Sequence, residues 1–141
     1  MARHRFAKAR LQVKIDDVAA DLYIRNLETK AAMKAATVTR QRIMQNIVSQ
    51  GRVNTGRMLH SVNIHPDPRP RGKASFVVSV DVPYYKFQNY GTRAHGPVTA
   101  KFLVFTPKGS NRVVFAKWVR GIEPGHFSEK ARADLTVKDF L

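Results

Sequence analysis

The chain reads as an α+β protein in which a long N-terminal helix packs on a mostly antiparallel β-sheet. Three observations predict this. No Gly or Pro interrupts the 35 residues between Ile15 and Gly51, and Ala, Leu, Met, Lys, Arg, Gln and Glu fill most of that stretch. Ser75–Val82 (SFVVSVDV) alternates apolar and polar residues, the period of a half-buried strand. Strand and helix signals do not alternate along the chain, so a doubly wound parallel sheet is not expected.

Residues 1–14 (MARHRFAKARLQVK) carry five Lys or Arg and no acid, without a sustained apolar face. They form an expected basic arm, flexible or partner-bound, ahead of a single α+β domain over 15–141. The long helical segment covers about 16–49. Asp16 and Asp17 supply the N-cap and complement the positive end of the helix dipole, and Gly51 supplies the stop. Val18, Leu22, Met33, Ala36, Ile43 and Ile47 recur at helical spacing and define the expected buried face. The stripe weakens near Arg25–Lys30, so two helices or one bent helix both fit.

Thr55-Gly56-Arg57 leads into a short helical turn. Residues 61–66 and 75–82 form a hairpin with a long tip, because three prolines in Pro66–Lys73 remove backbone donors and leave an exposed basic loop. Pro83 opens a short helix near 83–90, with Tyr84, Phe87 and Tyr90 on one face, expected to be core, and Gly91 closes it. Lys101–Thr106 and Arg112–Lys117 flank turn chemistry at 107–111, and Phe102–Phe105 and Val113–Phe115 are expected to feed the core. A closing helix near 126–136 places Phe127, Ala131 and Leu135 at i, i+4, i+8.

Twenty-five Lys and Arg oppose ten Asp and Glu, a net charge of +15 in 141 residues. Such a chain seeks anions: nucleic acid, a membrane surface or an acidic protein neighbour. Absence of cysteine removes disulfides, thiol nucleophiles and thiolate metal sites. No apolar run approaches the roughly 18 residues of a spanning helix, so no membrane role is expected. No phosphate-cradling glycine loop, serine-hydrolase elbow or H-E-x-x-H motif is present. The five His (4, 60, 65, 95, 126) do not pair at helical spacing. His126 and Glu129 are a candidate local pair, and the carboxylates that would hold a nuclease metal are scattered. No catalytic, cofactor-binding or metal site is assigned, and no enzymatic activity is expected.

The positive charge concentrates in the arm and in residues 40–73. Arg40, Arg42, Arg52, Arg57, Arg69, Arg71 and Lys73 stand there against one acid, Asp67. Candidate partner- or DNA-facing residues are Arg3, Arg5, Arg10, Arg69, Arg71 and Lys73. No base-reading module accompanies them, so contact with a backbone or an acidic protein is favoured over sequence readout.

The run Pro83-Tyr84-Tyr85-Lys86-Phe87-Gln88-Asn89-Tyr90-Gly91-Thr92 resembles the aromatic, Tyr-Gly-Thr signature of the small neck proteins of long-tailed bacteriophages. These are variously called head–tail joining, tail-completion or minor tail proteins. Thr55-Gly56 with Leu59 and Ser61, the hairpin around 102–117, and Gly121 followed by Phe127 and Ala131 resemble further segments of that family, in the same order. The chain departs from the family pattern at Asn89 (often Glu), at Val119-Arg120 (often His-Pro) and at His126 (often Pro). The resemblance covers about residues 15–136. It implies a non-catalytic virion protein, assembled in the host cytoplasm into a ring, typically of six copies, that joins the head connector to the tail tube. Its expected partners are copies of itself and the neighbouring connector and tail-terminator or tail-tube proteins, with DNA passing through the lumen without sequence-specific contact. The charge alone also fits a basic nucleic-acid-binding module of ribosomal or chromatin type.

Overall fold

The protein's structure, a computed structural model, describes residues 16–68 and 74–141. The basic arm, and with it Arg3, Arg5 and Arg10, lies outside the described residues, as do Arg69, Arg71 and Lys73.

Helix α1 (Asp17–Ser49) is one unbroken helix of 33 residues, about 50 Å long at 1.5 Å per residue. Asp16 caps it: its Oδ1 accepts from the N–H groups of Val18 and Ala19, at 3.1 and 3.3 Å. Gly51, at φ +64°, terminates it, and the N–H groups of Gly51 and Arg52 return to the carbonyls of Val48 and Ile47. Helix α2 (Arg57–His60) follows Gly56, whose φ of +77° makes the entry turn. Strands β1 (Val62–Pro66) and β2 (Phe76–Val80) pair antiparallel, from Val62 opposite Val80 to Pro66 opposite Phe76. Helix α3 (Tyr85–Tyr90) leads to a second hairpin, β3 (Leu103–Phe105) and β4 (Val114–Ala116). Helix α4 (Phe127–Ala133) and a 3₁₀ turn (Val137–Asp139) close the chain.

The architecture is α+β with every strand pair antiparallel. Among the described residues the strands form two separate two-stranded sheets. The core is small. Ile43 and Ile47 of α1 pack with Met58, Val62, Val82, Phe127 and Ala131. Val78 and Val80, on the face that the alternation of β2 predicted, border it.

Three expectations about burial are corrected. The face through Val18, Leu22 and Met33 is not covered: Val18 is 79% and Leu22 61% exposed. Helix α1 is about 50 Å long and five-residue strands span about 17 Å, so the small body covers only its C-terminal half. The β3–β4 hairpin does not feed the core either. Val104, Phe105, Val113, Val114 and Phe115 are exposed, and Trp118 with them, because three-residue strands bring no second layer over either face. On α3 the inward pair is Tyr85 and Asn89, while Tyr84, Phe87 and Tyr90 face out.

Candidate assembly surface

Helix α3 and the segment 121–129 are tied together by main-chain hydrogen bonds. Thr92 N–H donates to the Ile122 carbonyl at 2.9 Å, and Ile122 N–H donates to Thr92 Oγ1 at 3.0 Å. Gly125 and His126 N–H groups donate to the carbonyls of Gln88 and Asn89, at 3.0 and 2.9 Å. Residues 93–121 therefore leave and return at one point, as an excursion pinned at its base and bearing the β3–β4 hairpin.

Glycine is required at this junction for two different reasons. Gly91 has φ +76°, and a Cβ there would lie 2.6 Å from the Ile122 carbonyl oxygen. Gly121 does not have a positive φ. A Cβ there would lie 1.9 Å from the Thr92 carbonyl oxygen, so close backbone approach fixes its identity.

Asn89 is completely buried behind this junction. Its Nδ2 donates to both carboxylate oxygens of Glu129, at 3.1 and 3.0 Å, and its Oδ1 accepts from Tyr85 Oη and Ser128 N–H, at 3.3 and 3.4 Å. A buried carboxamide is tolerated because both of its ends are partnered. Tyr85 Oη also pairs with Ser128 Oγ, and burial pushes the Tyr85 hydroxyl's pKa up. The carboxylate of Glu129 is held by Asn89, and His126 instead provides a left-handed turn, φ 50°, that opens α4.

Of the motif residues, Gly91, Thr92 and Gly121 meet at the junction. Phe127 and Ala131, both fully buried, anchor its inner side to α1. Tyr90 is exposed. Thr55 and Gly56 line a separate recess of about 350 Å³ with Arg52, Tyr84 and Gln88, beside α3. There Thr55 Oγ1 accepts from Arg57 N–H at 3.4 Å.

Three of the arginines in the basic stretch serve the fold. Arg40 Nε donates to the Val62 carbonyl at 2.7 Å. Arg42 donates to the Asp134 carbonyl at 2.7 Å and pairs with Asp139 at 3.1 Å. Arg52 donates to Gln88 Oε1 at 2.9 Å and to the Glu123 carbonyl at 2.6 Å, with its guanidinium 5.8 Å from the Phe127 ring centroid. The planar fork of Arg suits this bridging. Neither these roles nor that of Asn89 showed in the sequence, because the partner carbonyls lie 22 to 92 residues away.

Among the described residues, two apolar surfaces stand open. One is a cleft of about 600 Å³ at the base of the excursion, lined by Tyr84, Phe87, Leu103, Phe105, Val119 and Ile122 among others. The other is the N-terminal half of α1, where Leu22, Tyr23, Ile24 and Leu27 are exposed. Accessible surface totals 12064 Å², against about 7,400 Å² for a compact monomer of this mass. Leaving the 20 residues outside the described set out of both figures, at most roughly 3,300 Å² of extended chain and about 800 Å² of the compact reference, an excess of about 2,200 Å² remains.

Such an arrangement is suited to protein–protein contact: hydrogen-bonded at the junction, apolar and open at both extremities. Among the described residues, no three His, Asp or Glu side chains converge as a metal site, and no helix is long and apolar enough to cross a membrane. Comparisons with protein-family models, curated proteins and solved structures give no match to this chain.

Proposed function

We propose that the chain is a structural component of the neck or tail of a long-tailed phage virion, forming a ring that joins the head connector to the tail tube. One observation carries this reading. The residues behind the resemblance (Gly91, Thr92, Gly121, Phe127 and Ala131) come from two distant stretches of sequence and build a single junction. That junction holds out an excursion on which Val104, Phe105, Val113, Phe115 and Trp118 are exposed. An excess of open apolar surface is what a subunit of an assembly requires. The ring would pass DNA through its lumen without sequence-specific contact. The alternative, a basic nucleic-acid-binding module, loses support because Arg40, Arg42 and Arg52 are engaged inside the fold.

A complementation assay tests the proposal. Phage lacking this chain should accumulate filled heads and separate tails, and supplying the chain should restore tailed particles. Normal tailed particles without it would overturn the neck role.

A further inference from the structure

We infer that the two open surfaces are partners for each other on successive copies of the chain: the N-terminal half of α1 of one copy docks in the cleft and along the excursion of the next. This inference deepens the ring reading and rests on it.

Charge identifies the occupant. Residues 16–30 hold Asp16, Asp17, Asp21 and Glu28 against Arg25 and Lys30, four of the ten carboxylates of a strongly basic chain. Residues 93–121 hold six Lys or Arg and no carboxylate. On the helix, Asp17, Asp21 and Glu28 stand at i, i+4 and i+11, one stripe beside the apolar stripe of Tyr23, Ile24 and Leu27. All six are exposed. An apolar helix stripe bordered by acids fits an apolar groove at the foot of a basic excursion, the helix-in-groove mode of recognition. The cleft supplies the groove with Phe87, Phe105 and Ile122 and one lining arginine, Arg120, which pairs with Glu123, and the excursion that rises from it carries Lys101, Arg112 and Lys117, all exposed.

Area agrees with two such contacts per copy. A standard interface covers about 800 Å² on each partner, so a ring subunit with one donor and one acceptor surface would cover roughly 1,600 Å². The excess of about 2,200 Å² left after the undescribed residues are allowed for is large enough for both contacts. The two surfaces differ, so the contact is head-to-tail, the kind that closes into rings.

A charge swap tests the pairing by sedimentation velocity of the full chain. Asp17→Lys/Asp21→Lys/Glu28→Lys should reduce the oligomer to monomer, and so should Lys101→Glu/Arg112→Glu/Lys117→Glu. An equimolar mixture of the two should reassemble, since each altered helix then meets an altered excursion. Matching circular dichroism spectra for all three proteins verify folding, because every substituted side chain is exposed. An independent variant, Leu27→Cys/Phe105→Cys, uses the absence of native cysteine: oxidation should give a ladder of copies linked by disulfides. Oligomers indifferent to both swaps, or no ladder, would overturn this pairing while leaving a ring by other surfaces intact. A parent chain that stays monomeric would overturn the pairing as well. The complementation assay judges the neck role separately from either result.

Discussion

Gly121 lies against Thr92 so closely that a single added carbon would sit 1.9 Å from the Thr92 carbonyl oxygen. Nothing in that space can yield, because the neighbouring atoms are backbone and are held by the reciprocal Thr92–Ile122 hydrogen bonds. Gly121→Ala is therefore expected to cost about 3 kcal/mol, the upper end of overpacking. Gly109 is the control. It has φ +79° with open space around its Cβ position, so Gly109→Ala should cost about 1 kcal/mol from backbone strain alone. Urea melts of the two variants check this, and equal losses would contradict the close approach.

Arg52 bridges α3, the return segment and the Phe127 ring. Arg52→Ala should destabilise the domain by about 2 kcal/mol, since it leaves a carbonyl and a carboxamide without their charged donor. Lysine cannot reproduce the fork, so Arg52→Lys should recover less than half. Arg57→Ala, at an exposed site, should stay within about 0.5 kcal/mol of the parent. Thermal denaturation of the three variants separates structural from solvated arginine.

Asn89→Asp would replace a donor to Glu129, now 3.0 Å from its carboxylate, by a second carboxylate. Like charges this close raise one carboxyl's folded pKa. A raised folded pKa means stability that is present at acid pH and lost as pH rises through it. The variant is expected to lose about 2 kcal/mol at neutral pH and to recover part of that as pH falls toward about 4. A melting-temperature series against pH shows the recovery, and a loss independent of pH would contradict the Asn89–Glu129 geometry.

Asp139 behaves in the opposite sense. The Thr136 N–H, at 2.7 Å, holds its carboxyl below the usual 3.8, and Arg42 adds to the effect. A lowered folded pKa gives stability that is complete above the unfolded value and lost as pH falls through the folded one. Asp139→Asn should flatten the acid side of the stability curve of the parent, measured from about pH 7 to about pH 2. An unchanged acid limb would contradict the hold of Thr136 and Arg42 on this carboxylate.

The sequence made some of this legible, and physical range explains which parts. Both ends of α1 were readable, because Asp16 and Gly51 act on backbone groups within a few residues. The β1–β2 hairpin was readable from alternation, and Gly91 from its place after a short helix. Side-chain cover was not. Val18 and Ile47 carry the same apolar signal, yet one is open and the other fully buried, because the length of the body beside α1 decides it. Tyr84, Phe87 and Tyr90 looked like a core face for the same reason. Gly121 needs a neighbour 29 residues away, and Arg42 a carbonyl 92 residues away, so no local pattern announces either role.

Antibody labelling of purified virions, imaged by negative stain, tests the structural role most directly. With antibody raised against this chain, label should concentrate at the junction of head and tail, and particles lacking the chain should show none. Label spread over free nucleic acid or host ribosomes, with the junction bare, would contradict it.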